Sequence, residues 1–175
     1  MIKSLTVREL LGCGPDKFDP MSVDTSEIRE LSDAMPKDGN IDINNAEIMA
    51  TKYLRGADMC SELLAIATAY VAKSDSLKKK AHSIAFLVKA SEKGFKTDKS
   101  RASFADQDDD FITASDRYSE AIAFAKWVNG KYESFSKMHY LCKRLLERGY
   151  THERMASFNI DPEKMVEEAN KKPAW

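Results

Sequence analysis

The sequence predicts an all-α fold: a long antiparallel αα-hairpin with coiled-coil-like packing, short helices before it, a further helix after it, and assembly into an oligomer. Three observations carry this. Proline occurs at 15, 20, 36, 162 and 173 and nowhere between Lys37 and Asp161, so nothing in that interval is barred from a helix. Apolar and small residues recur there in alternating steps of four and three, the spacing of a helical seam. The interval is also punctuated by glycines followed by aromatic residues, at Gly94-Phe95 and Gly149-Tyr150, as in helix C-caps of the Schellman type.

Taken in order, Thr6 to Glu9 and Asp24 to Glu27 have capping-box spacing and predict short N-terminal helices. The turn-rich segments GCGPDKFDP and PKDGN read as connectors around them. Asn44, with Glu47 three residues on, predicts the start of the first long helix. Its seam is Met49, Tyr53, Gly56, Cys60, Leu63, Ala67, Tyr70, Ser74, Leu77, Ala81, Ile84, Val88 and Ser91. The turn GFKT follows, and Thr97 is placed to cap a second helix starting near Asp98. That helix carries the seam Phe111, Ala114, Tyr118, Ala121, Ala125, Val128, Tyr132, Phe135, His139, Cys142 and Leu146. Each arm is about 50 residues and roughly 70 Å long at 1.5 Å per residue. Asp161-Pro162 opens a last helix with proline at its first position. The organisation is therefore 1–43 for short helices and connectors, 44–150 for the hairpin, and 151–175 for a C-terminal helix and tail.

Composition narrows the class. With 43% apolar and 31% charged residues, the chain is neither disordered by composition nor a membrane protein. The longest apolar run, LLAIATAYVA, is half of what a membrane span needs. No basic-then-apolar leader opens MIKSLTVREL, so the expected location is cytoplasmic. Cys13, Cys60 and Cys142 are odd in number and far apart, the pattern of reduced thiols.

No catalytic constellation is present: there is no P-loop, nucleophile elbow or dinucleotide fingerprint, and the expectation is a non-enzyme without cofactor. His139 and Cys142 stand three apart on one helix, but no second pair accompanies them and both fall on the seam, which favours packing over metal binding. The cluster DQDDD lacks the glycine turn and terminal glutamate of a calcium loop. It reads instead as acids placed beside the basic end of the first helix and near the N-terminal end of the second.

Charge is segregated although the net charge is only -1. Lys73 to Arg101 holds nine Lys/Arg against Asp75, Glu92 and Asp98, and Phe104 to Glu120 follows with six acids and one Arg117. With Leu77, Ala81, Ile84 and Val88 in the seam, the opposite face carries Lys79, His82, Phe86, Lys89 and Lys93, with Lys96 beyond the cap. Such a stripe is either a solvated helix face or a track for single-stranded nucleic acid, with lysines for phosphates and Phe86 for a base to stack on. Lys78, Lys79, Lys80, His82, Phe86, Lys89, Lys93 and Lys96 are the candidate DNA contacts. Phe86 serves equally as an oligomer contact. Leu64, Val71, Trp127 and Leu141 widen the apolar face beyond what two helices cover, which predicts either subunit contacts or packing by terminal helices.

Across Ala46 to Phe158 the sequence resembles the UvsY family of phage recombination mediators. The likeness rests on Ala105-Asp106 opening an aromatic-containing helix, on Arg148-Gly149-Tyr150, and on LVKAS, which falls on the family's basic DNA-contact motif. That alignment matches Lys89 and puts Ser91 where a second basic residue is expected. The second helix runs about three turns longer than the family's, and the N-terminal 40 residues have no counterpart. The resemblance implies a protein of the host bacterial cytoplasm that binds single-stranded DNA as a homo-oligomer, with a ring as the family's form of assembly. Its further partners would be a RecA-like recombinase, which it helps to load, and a single-strand-binding protein. The competing readings are a helical phage scaffold or assembly chaperone that binds only protein, and a small inhibitor or adaptor of one host protein.

Overall fold

The computed structural model describes residues 19, 22–36 and 41–157, and among them the fold is all-α, with no strand. The Thr6–Glu9 capping box, the Asp161-Pro162 helix start and nearly all of the two connectors lie outside the described residues. Helix α1 is Ser26–Asp33, and Asp24 accepts hydrogen bonds from the Ser26 amide and hydroxyl at 2.9 and 2.6 Å. A 3₁₀ turn, Ile43–Asn45, leads into α2, Ala46–Ile84. The start differs from the expected Asn44 cap: Asn45 holds the N-cap position without a side-chain bond, and Asp42 takes the capping role one turn earlier by accepting from the Asn44 amide at 3.1 Å.

Helix α2 continues through a π-helical turn, Ala85–Lys89, and a last α turn, Ala90–Glu92. It stops as predicted. Gly94 adopts φ +81°, its amide donates to Ser91 O, and the Phe95 amide donates to Ala90 O, both at 3.0 Å, which are the two bonds of a Schellman motif. Thr97 then caps α3, Asp98–Asp106, by accepting from the Ser100 amide at 3.2 Å.

The second arm is not one continuous helix. It breaks at Gln107 and Asp108 and restarts as α4, Asp109–Ser157. The break follows from Asp108, whose carboxylate accepts from the Asp110 amide at 3.2 Å and so satisfies a free donor at the start of α4. Gly149 does not end a helix either, because α4 runs on to Ser157. A Cβ at Gly149 would lie 2.6 Å from Ile43 Cδ1, so the glycine is a point of close approach for the 3₁₀ turn.

Helices α2 and α4 pack along most of their length. Tyr53, Cys60, Leu63 and Ala67 from α2 and Ala121, Val128, Phe135 and Cys142 from α4 form the buried core, in agreement with the predicted seams, whereas Tyr132 of the second seam is 38% exposed. The Phe135 ring is fully buried, stacks on Tyr53 at 6.4 Å, and lies so close to α2 that a Cβ on Gly56 would meet three of its carbons at 3.0 to 3.1 Å. Helix α1 covers the flank with Ile28 buried. It is held by a Glu27–Arg55 ion pair at 2.6 Å, by Lys131 donating to Ser32 Oγ at 2.6 Å, and by Arg29 5.8 Å from the Trp127 ring centre.

Terminal-helix packing therefore accounts for part of the broad apolar face. Trp127, Leu64 and Leu141 are partly buried against the core, and Val71 is half-buried. Past Ser74 the predicted seam fails: Leu77, Ile84 and Val88 are 49%, 41% and 48% exposed, while Ala85 and Ala90 are buried and Lys78, His82 and Lys89 half-buried. The buried stripe runs Ser74, Lys78, His82, Ala85 in place of the heptad continuation. That is an 11-residue spacing, which tracks the natural turn of a straight helix more closely than seven does. The π turn then inserts one further residue before Ala90, rotating the face again.

Candidate nucleic-acid interface at the hairpin tip

The end of the hairpin where α2 stops and α4 begins gathers most of the positive segment, with α3 folded between the arms. The structure divides the predicted DNA contacts into three groups. The first faces the other arm. Lys89 Nζ bridges Asp108 at 2.8 Å and Asp110 at 2.6 Å. The hydrogen bond to Asp108, then that to Asp110, holds the Lys89 ammonium above its ordinary pKa. The Lys89 bond likewise holds Asp108 below its own, with further help from the Asp110 and Phe111 amides. The acids of DQDDD thus do lie against the basic end of α2.

His82 belongs to the same group. Its Nε2 stands 3.4 Å from Asp106, and its ring meets Phe111 edge-on at 5.0 Å and Phe86 at 6.5 Å. Lys78 lies over the rings of Tyr118 and Phe111, 5.1 and 5.9 Å from their centres. Phe86 does not project bare from an outer face; it is half-buried and stacked beside His82. The change follows from the shifted seam, which turns the predicted outer face partly inward.

A second group is exposed along α2. Lys79 is tied at 2.6 Å to Asp75, a bond that raises its pKa, and Lys80 has no ion pair among the described residues. The third group sits at the turn. Lys93, Lys96 and Lys99 are exposed, and Lys93 Nζ lies 5.2 Å from the centre of the Phe104 ring. Phe104 packs at 5.3 Å against Phe95, which is 37% exposed. Arg101 Nε donates to Phe95 O at 2.9 Å and fixes the turn to α3. From Lys93 to Arg101 there are four cations and one acid, Asp98.

The exposed ring amid the lysines of the turn is thus Phe95, packed on the half-buried Phe104, while Phe86 is half-buried beside His82. Sequence reasoning assigned Phe95 only to the Schellman contact and passed over Phe104. The available signal was two phenylalanines nine residues apart on either side of a tight turn, inside the most basic part of the chain.

His139 and Cys142 both pack against α2 or the core. His139 Nδ1 donates to Ala50 O at 2.9 Å, and Cys142 is buried, its thiol pKa pushed up by desolvation. Cys60 is also buried, with a pKa pushed up to about 11 by burial, and the nearby Lys131 partly offsets this. Among the described residues no group of three or more ligating side chains could hold a metal ion. Nor is any helix among them long and apolar enough to cross a membrane. No protein-family model, curated protein or solved structure matches the chain.

Proposed function

We propose that the protein is a non-enzymatic accessory factor that binds single-stranded DNA through its hairpin tip. The observation that carries this reading is the cluster of Lys93, Phe95, Lys96, Lys99 and Phe104, which combines exposed lysines with a pair of tilted, contacting rings at one end of the helical hairpin. Phosphates supply sequence-independent attraction to the lysines, and a base stacks on the accessible Phe95 ring. The UvsY-like features of the sequence extend the proposal to a recombination mediator, a homo-oligomer that delivers its strand to a RecA-like recombinase in the presence of a single-strand-binding protein. Several weak tips acting together supply the affinity.

Anisotropy of fluorescein-labelled oligo-dT at about 50 and about 200 mM salt tests the reading through its salt slope. Each lysine removed from Lys93, Lys96 and Lys99 flattens the log-log slope by about 0.7 if it holds a phosphate. Phe95→Ala weakens binding by about 1 to 3 kcal/mol per stacked base and leaves the slope alone, since stacking releases no counterions. Lys52→Ala, on the exposed face of α2 outside the basic segment, is the control. A triple alanine variant of the three lysines that binds as tightly as the parent, with the same slope, refutes the DNA reading. A second reading, an assembly protein that binds only protein, is favoured by a separate observation: Leu77, Ile84, Leu87 and Val88 are exposed large apolar residues on one stretch of α2.

A further inference from the structure

The exposed residues Leu77, Ile84 and Val88, with Ala81 between them, keep the four-three spacing of the hairpin seam and continue it directly beyond Ser74. That spacing is what one helix shows to another. The buried stripe has swung away from it, so among the described residues no helix covers the heptad face. Leu87, 62% exposed, widens the same face at a flanking position. Beside it, between α2 and α4, runs a groove of about 520 Å³ whose walls include Leu77, Ala81 and Ile84 from one arm and Ala114 from the other.

The charges along the groove have one sign in excess. Lys80, Lys89 and Arg117 line it against a single acid, Asp110, and that acid is already bound by Lys89. Lys80 and Arg117 have no ion pair among the described residues. A second copy of this chain docking by the same face would bring the Lys80 and Arg117 cations of both copies into one interface, with no unpaired acid among the described residues that line it, which costs free energy. A strand of nucleic acid would find its phosphates served but would meet leucine, isoleucine and valine along the exposed stripe, because the aromatic wall residue Tyr70 is half-buried and packed against the core.

We infer that this face is a docking site for an acidic amphipathic helix of a partner protein. Leucine-type side chains of the partner enter the groove at heptad spacing, and carboxylates on its flanks meet Lys80 and Arg117. The apolar contacts supply affinity, and the charges select orientation and partner. This inference is independent of the proposed DNA site, because it uses none of Lys93, Phe95, Lys96, Lys99 and Phe104.

The probe is a labelled helical peptide of about three heptads with leucine at a and d and glutamate at e and g, followed by anisotropy. Two control peptides carry lysine at e and g, or serine at a and d. The full-length protein binds the glutamate peptide and discriminates against both controls by about tenfold or more. Leu77→Ser with Ile84→Ser loses that binding while circular dichroism and oligo-dT affinity stay at parental values, since both side chains are nearly half exposed and lie away from the tip. Lys80→Glu with Arg117→Glu transfers preference to the lysine peptide, a gain that misfolding cannot produce.

Equal binding of the three peptides overturns the inference. So does oligo-dT displacing the glutamate peptide from the parent but not from the Lys93/Lys96/Lys99 alanine variant, which makes the groove a nucleic-acid site. A concentration-dependent increase in mass that Leu77→Ser/Ile84→Ser abolishes also overturns it, by placing a second copy on the face.

Discussion

The contact between Gly56 and Phe135 decides how closely the two arms approach, and it can be tested with a single methyl group. A Cβ at Gly56 would stand 3.0, 3.1 and 3.1 Å from three carbons of the Phe135 ring, closer than an ordinary van der Waals contact. The ring is fully buried and stacked on Tyr53, so it has little room to retreat. Gly130, inside α4, offers a matched reference: a Cβ there meets nothing within 4 Å. Both glycines lie in helix interiors, so replacing either with alanine gains about 0.8 to 1 kcal/mol of helix propensity. At Gly130 that gain stands alone. At Gly56 it is set against an overpacking cost of about 1 to 3 kcal/mol, which leaves the variant about 0 to 2 kcal/mol less stable than the parent. The propensity gain cancels between the two alanine variants, so their difference is the strain term itself, about 1 to 3 kcal/mol against Gly56→Ala. Urea unfolding followed by helical circular dichroism at one fixed protein concentration measures it. The cost should also couple to the ring: in a Phe135→Leu background the Gly56→Ala penalty falls, which a double-mutant cycle reads directly. If Gly56→Ala stabilises as much as Gly130→Ala, the arms do not meet through this glycine and the placement of the core is wrong.

Two further outcomes follow from buried polar groups. The Tyr53 hydroxyl is buried with no hydrogen-bond partner among the described residues, and its pKa is raised by desolvation and then by Cys142. Tyr53→Phe removes an unpaired group at constant shape, so thermal unfolding should show stability unchanged or improved by about 1 kcal/mol; a clear loss would mean that the hydroxyl is bonded in solution. The Lys89–Asp108 bridge should be visible as a pH dependence. Asp108 is depressed in the folded state, so its contribution is present above the unfolded carboxylate value of about 3.9 and is lost as pH falls through the folded value. Lys89 is raised, so its contribution is present below about 10.4 and is lost as pH rises through the folded value. The stability gap between parent and Lys89→Met should accordingly be widest between those limits and close towards acid. A gap that persists unchanged at pH values where Asp108 is protonated would show that Lys89 acts through packing of its stem alone.

Much of the architecture was legible in the amino-acid order, because its signals act within a turn or two of helix. The Gly94-Phe95 stop, the Thr97 cap, the seam from Tyr53 to Ser74 and, apart from the exposed Tyr132, the seam from Ala121 to Cys142 appear as predicted. Each depends on local backbone hydrogen bonds or on the period of a helix, and these are properties of neighbouring residues. What only the tertiary structure decided lies where two equally regular patterns compete. Gly149 looks like a stop and is a contact for Ile43, because its meaning depends on a turn about a hundred residues away in the chain. Past Ser74 the heptad face and the 11-residue face are both present in α2, and the choice between them fell to α3 and to Asp108, which pull Lys89 and His82 towards the second arm. Periodicity states which residues share a face, but not which face is covered. Covering depends on the direction of the next element, set here by the break at Gln107 and Asp108 and by the residue added at the π turn.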